Sequence, residues 1–282
     1  MTGATEPRRI LVTNDDGIGS DGLHVLARAL VSLGEVIVVA PDGEYSGSSA
    51  SLGALVDMDP VVRHHEIDDR YQSWSVAGPP ALCVLFGRLG VFGGRFDLVV
   101  SGINPGANVG RAIYHSGTVG AATTARLGRI SAIAISQEVS GAVEGQALPG
   151  TVVDQHWSAA ADIALAAATG LLADPPPEAV LVNINVPNRP LGEIVGWRRT
   201  TIAAAPSRAL RSARLEPIDG APGTYRSVAV WGDVAVLPAD TDGGTVARGE
   251  VSVSWLTPFL TEVPEGADPV ESGIGDLLLG RS

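Results

Sequence analysis

The chain has 282 residues, 45% of them hydrophobic, which suits one large domain, or a domain with an extension, built around a substantial core. Its net charge of −12 makes it a poor electrostatic match for duplex nucleic acid. All 19 basic residues are arginine, which removes Walker A, Schiff-base and pyridoxal phosphate chemistry, and a single cysteine, Cys83, excludes an internal disulfide and a zinc-finger site.

Ile10, Leu11 and Val12 form a short apolar run that predicts a buried strand, ending in Asn14-Asp15-Asp16-Gly17. Leu23, Leu26, Ala27, Leu30 and Val31 are spaced like one helix face over 22–33, and Gly34 can end that helix. Residues 35–40 are a continuous apolar strand stopped by Pro41, so a parallel β-α-β unit opens the chain. A serine-rich loop follows over 41–54, with Ser46, Ser48, Ser49 and Ser51. Residues 61–62 and 74–76 predict strands around a polar turn near Asp68 and Asp69, with His64 and His65 on a solvated strand end. Pro79-Pro80 opens a helix through Leu89 that carries Cys83 as a core residue.

Residues 97–101 are the next buried strand, running into a loop with Asn104 and Asn108. Ser116 is a candidate N-cap for a small-residue helix over 119–127. A strand over 130–136, a polar loop over 137–150, an alanine-rich helix over 154–172 and a strand over 179–186 complete the α/β pattern. Asn183 and Asn185 fall within that last strand, where internal hydrogen bonds are expected; His24 and His156 read as helix-surface or packing residues. Beyond residue 190 short alternating segments replace helical periodicity (225–231, 251–256), which predicts a β-rich extension; the last 20 residues, with Pro264 and Pro269, are expected to fray or pack on a partner. The division expected is a catalytic core over 1–190 and an extension and tail over 191–282. No apolar run approaches the roughly 20 residues of a membrane span. No apolar segment of signal-peptide type precedes the first strand, so a cytoplasmic protein is expected.

The chemistry gathers at the carboxyl end of the first strand, where open α/β sheets place their ligands. Two adjacent carboxylates there, Asp15 and Asp16, are unfavourable unless something positive sits between them. A divalent cation is the simplest such partner. The acids, a hydroxyl from the serine loop and an asparagine carbonyl from the Asn104 loop form a hard-oxygen set suited to Mg2+, Mn2+ or Ca2+ rather than zinc. The helix N-terminus at Ser116 adds an anion site, so metal and phosphate chemistry converge. Gly17-x-Gly19-x-x-Gly22 also matches a dinucleotide fingerprint, but Asp15 and Asp16 stand where a pyrophosphate would lie. A nicotinamide-dependent oxidoreductase and a non-catalytic nucleotide-binding protein remain as alternatives. His115 and Ser116 are adjacent and seldom able to face each other as base and nucleophile; His115 fits better as a substrate contact or a proton donor to a leaving group.

Five stretches carry a family resemblance: Ile10-Leu-Val-Thr-Asn-Asp-Asp-Gly17, Val38-Val-Ala-Pro-Asp42 with Ser46-Gly-Ser-Ser49, Val99-Val-Ser-Gly-Ile-Asn-Pro-Gly-Ala-Asn-Val-Gly110, Ser116-Gly-Thr-Val-Gly-Ala-Ala122 and Asn183-Ile-Asn-Val-Pro187. Thr241-Asp242 with 249–254 is a weaker sixth. In this order the chain resembles SurE, the survival-protein family of metal-dependent 5′/3′-nucleotidases. The resemblance implies a Rossmann-like core of mostly parallel sheet flanked by helices. It implies a β-rich extension packed or exchanged between subunits of a homodimer or homotetramer. It also implies one divalent metal, Mg2+ or Mn2+, on Asp15, Asp16, Ser46 and Asn104, with Asn108, Ser116, Gly117 and Thr118 around the phosphate of a nucleoside monophosphate. Asp15 or Asp16 would accept the proton of an attacking water. The chain departs from the family at His115, where members often carry tyrosine, at Arg111-Ala112-Ile113, which lacks the usual acid, and in the arginine-rich 198–226 segment.

Overall fold

The computed structural model describes residues 7–53, 59–139, 152–205, 210–233 and 235–257. The loop expected over 137–150 therefore lies outside the described residues beyond 139, as do the last 25 residues (258–282). Strand β1 (Arg9–Thr13) is followed by helix α1 (Asp21–Leu30) and a 3-10 turn (Val31–Leu33). Then come β2 (Glu35–Pro41), β3 (Val62–His65), β4 (Gln72–Val76) and helix α2 (Pro80–Arg88). The second half of the core holds β5 (Leu98–Pro105), helix α3 (Gly117–Leu127), β6 (Ser131–Gln137), helix α4 (Trp157–Ala173) and β7 (Leu181–Val186). After it come β8 (Gly196–Arg199), β9 (Leu210–Pro217), β10 (Tyr225–Trp231), the short helix α5 (Asp242–Val246) and β11 (Glu250–Leu256).

Nine strands form one sheet in the order β3-β4-β2-β1-β5-β6-β7-β11-β8. Pairing is parallel from β4 through β7, and β3 and β11 run antiparallel to their inner neighbours, β4 and β7. The central strands are continuous apolar runs because helices cover both faces. Ile10 and Val12 point to the face packed by α1 and α4, while Leu11 points to the face packed by α2 and α3, as the two-residue side-chain period requires. Cys83 is fully buried in that second layer, and burial pushes its thiol pKa up, so it is a core residue as expected.

The chain after residue 190 does not stay apart from the core. β11 pairs with β7 and β8 pairs with β11, so two of its strands extend the main sheet. Among the described residues, β9 and β10 alone form a separate antiparallel hairpin, most of whose side chains are exposed. The helix expected from residue 154 starts at Trp157 instead. Asp154 occupies a left-handed turn at φ 51°, and His156 takes the N-cap position.

Candidate active site

The tip of β1 is shaped by Asn14, to which sequence reasoning gave no role. Its side chain accepts the Gly17 N–H at 3.2 Å and donates to the Gly17 carbonyl at 3.1 Å, closing a turn in which Gly17 sits at φ 98°. A side chain at Gly17 would be strained and would also meet the Gly43 carbonyl at 2.9 Å, so glycine lets β1's tip and the serine loop touch. Gly22 does the same for α1: a Cβ there would lie 2.6 Å from the Ile103 carbonyl.

That turn presents the two acids differently. Asp15 is buried, and its Oδ1 accepts the Thr118 hydroxyl at 2.6 Å. Burial pushes its pKa up, against the pull of Thr118 and of the Gly117 and Thr118 backbone N–H groups. Ser116 is the N-cap of α3 as expected, its Oγ accepting the Val119 N–H at 3.1 Å. The first turn of α3 is thus already occupied by the protein's own oxygens, and Gly117 is small because a Cβ would lie 2.7 Å from that of Asp15. Asp16 is half-buried as a residue, but its Oδ2 is closed to solvent and has no hydrogen-bond partner. Burial pushes its pKa well up, and the neighbouring charges of Asp15 and Glu44 add to the effect.

The serine loop is fastened around these acids. Tyr45 N–H donates to the Asp15 carbonyl at 2.7 Å, Ser49 N–H to the His115 carbonyl at 3.1 Å, and Ser49 Oγ to the Tyr114 carbonyl at 2.8 Å. Ser46 itself is exposed, and its hydroxyl donates to Glu44 at 3.1 Å. Glu44 is the acid that sequence reasoning missed; the adjacent Pro-Asp and Ser-Gly motifs carried no signal for it. Asn104 is buried on the end of β5 with its Nδ2 donating to the Gly106 carbonyl at 2.6 Å. The side chain of Asn108 donates to Ser136 Oγ at 2.9 Å, while its carbonyl accepts both Asn183 Nδ2 at 2.9 Å and Asn185 Nδ2 at 3.2 Å. The two strand asparagines therefore make the internal bonds expected of them. His115 is exposed on the rim. His24 is a packing residue, its ring bridging Tyr71 and the Ile18 carbonyl.

The residues fit a hard divalent cation. Two desolvated carboxylates, one with an orphaned buried oxygen, lie beside a third acid and neutral oxygen donors. Among the described residues no group of three or more His, Cys, Asp or Glu side chains is arranged to hold a metal, so the donor set would be two acids plus neutral oxygens. The dinucleotide alternative fits less well. The cavity at the α1 N-terminus is lined by Asp16, Asp21 and Asp154, which oppose a pyrophosphate.

Fold and site together define a doubly wound α/β protein with an acidic, oxygen-lined centre at the carboxyl ends of its parallel strands. Residues 10–208 match the model of the survival protein SurE family. The chain is 34% identical over 262 residues to the 5′-nucleotidase SurE of Nitrosococcus oceani, covering 88% of this chain and 97% of that one. It is 36% identical over 252 residues to the 5′-nucleotidase SurE of Legionella pneumophila, covering 88% and 90%. The crystal structure of the SurE protein from Aquifex aeolicus superposes with a TM-score of 0.71 at 31% identity, covering 96% of this chain and 99% of that one. The chain belongs to the SurE family.

Proposed function

We propose that this protein is a 5′-nucleotidase: a hydrolase that converts nucleoside monophosphates to nucleoside and phosphate with one divalent cation, Mg2+ or Mn2+. The observation that carries the reading is the orphaned Oδ2 of Asp16 beside Asp15 and Glu44, at the carboxyl end of the central strand β1, in a chain whose relatives at 34% and 36% identity are named 5′-nucleotidase SurE.

Asp15, Asp16, Ser46 and Asn104 would hold the cation. Such an ion supplies Lewis-acid polarisation of the phosphoryl group and favours a water nucleophile near neutral pH. The chain's own residues do the rest. Thr118 and the start of α3 fix Asp15, so its carboxylate does not reorganise during reaction. Asp15 or Asp16 takes the proton of the attacking water. Water attacks phosphorus, the P–O bond to the nucleoside breaks, and the departing oxygen takes up a proton. Asn108, Ser116, Gly117 and Thr118 lie around the phosphate as walls rather than as its N–H donors, because the first N–H groups of α3 already serve Asp15 and Ser116, and His115 contacts substrate from the rim.

The division into a catalytic core over 1–190 and an extension over 191–282 is part of this proposal, with the extension forming the interface of a homodimer or homotetramer. Exposed Trp197 and Trp255 support it, beside an apolar cavity of about 750 Å3 between α4 and the β7–β11–β8 end of the sheet. We place the protein in the cytoplasm. No helix among the described residues is long and apolar enough to cross a membrane.

Phosphate release from 5′- and 3′-nucleoside monophosphates with Mg2+, Mn2+ or EDTA, beside Asp16→Asn, tests the reading. Metal-dependent release reduced on the order of 100-fold or more in the variant is expected. Full metal-dependent turnover by Asp16→Asn would sink it. Light scattering reports the subunit number.

A further inference from the structure

A cavity of about 460 Å3 opens beside Asp16, within the range of about 300–1,000 Å3 usual for small-molecule sites. It is lined by Asp16, Asp21, Pro105, Asp154, Gln155 and Trp157. A group bonded to a phosphate at Asp16 has this space directly next to it. We propose that the cavity seats the nucleoside of the substrate, with the Trp157 ring as the stacking surface for the base and the Gln155 amide reading the base edge. The inference rests on the nucleotidase reading and assigns the part of the substrate that does not react.

Three observations carry it. First, the wall is built in advance. The 154–157 turn is clamped by Asn188, whose Oδ1 accepts the His156 N–H at 3.0 Å and whose Nδ2 donates to the Asp154 carbonyl at 3.3 Å. Gln137 Nε2 donates to the His156 carbonyl at 2.9 Å, and Trp157, the first residue of α4, is partly buried against the core on the α1 and α4 face of the sheet. An aromatic ring held this way loses little freedom when a base stacks on it.

Second, Gln155 lines the same cavity and its amide is held by a single long bond, Nε2 to the Val153 carbonyl at 3.3 Å; its Oε1 is turned away from solvent without a partner, and rotation of the amide would bring it to the cavity. A buried amide oxygen left unpaired is costly, and the exocyclic amine of adenine or cytosine is a donor that satisfies it. Third, the acids select by charge. Asp21 and Asp154 accept hydrogen bonds from sugar hydroxyls but repel a second or third phosphate, so monophosphates are favoured over di- and triphosphates.

Trp157→Ala, Trp157→Phe and Gln155→Leu test the assignment, with folding checked by circular dichroism. Steady-state kinetics compare adenosine, cytidine, inosine and uridine 5′-monophosphates with ribose 5-phosphate, which lacks a base. Trp157→Ala is expected to raise KM for all four nucleotides at least about fivefold, the low end for stacking of a base on an aromatic ring. It should leave kcat/KM for ribose 5-phosphate within about twofold, and Trp157→Phe should keep most of the nucleotide affinity. Gln155→Leu should weaken the adenosine and cytidine substrates more than the inosine and uridine ones. Equal losses on nucleotides and ribose 5-phosphate, or no change on either, would overturn the proposal and leave the nucleotidase reading standing. If Trp157→Ala does not fold, Trp157→Phe and Gln155→Leu decide by the same comparison. Wild-type protein that releases no phosphate from any nucleotide would overturn both.

Discussion

Asp242 Oδ2 accepts the backbone N–H of Gly110 at 2.8 Å across 132 residues, joining the start of α5 to the loop that carries Asn108. Its Oδ1 accepts two more N–H groups, from Ala203 at 3.0 Å and Gly243 at 2.8 Å. Asp242→Ala would leave three buried donors unpaired, each bond to a charged group being worth about 1.5–3 kcal/mol. The variant should lose about 3 kcal/mol or more in urea unfolding. Its KM should rise as well, because the Gly110 loop is released.

Thr118→Val removes the hydroxyl that holds Asp15 Oδ1 while keeping the shape of the side chain. Loss of a residue that orients a metal ligand typically costs 10- to 100-fold in affinity. Titration calorimetry with Mn2+ should show a drop in that range with little change in melting temperature. Unchanged affinity would mean that Asp15 is not a ligand.

The acids of the site make the metal-free protein pH-sensitive. Burial raises the pKa of Asp16 above its ordinary value of 3.8, so between that value and the raised one the folded state binds more protons than the unfolded state. Stability contributed by this group is therefore present at low pH and falls as pH rises through the window. In EDTA, Asp16→Asn should melt above wild type at pH 7.5, and the gap should close toward pH 4. Added Mg2+ should stabilise wild type more at pH 7.5 than at pH 5.

Gly120 sits on α3 where the Ser49 backbone crosses it, and a Cβ there would collide with the Ser49 carbonyl and the Ala50 nitrogen. Gly120→Ala should cost about 1–3 kcal/mol through overpacking, in spite of alanine's better helix propensity. It should also push the serine loop away and weaken metal binding. A more stable variant with wild-type affinity would show that the loop need not touch α3.

Much of this was legible because burial on both faces leaves a simple trace. β1, β2 and β6 hold unbroken apolar runs, and a serine before a small-residue helix marked the N-cap of α3. The contacts that tune the site left no such trace. Thr118 reaches Asp15 across 103 positions, and neither periodicity nor spacing encodes that meeting. Glu44 bears on Asp16 only through the fold of a loop. Trp157 falls inside the alanine-rich helix expected over 154–172, and helix spacing does not reveal what lies beyond the N-cap. The return of β8 and β11 to the main sheet was hidden for a related reason: alternation identifies a strand but not its neighbour.

Asn183 and Asn185 grip the Asn108 carbonyl from inside β7, a strand whose every residue is buried. The loop that carries Asn108 is thus anchored from below, whereas His115 is exposed and the 152–157 turn lines the cavity beside Asp16. On the proposed mechanism, substitutions in these outer segments would exchange one leaving group for another without disturbing the chemistry at Asp16. A lineage built on this plan can diversify its diet while its teeth stay the same.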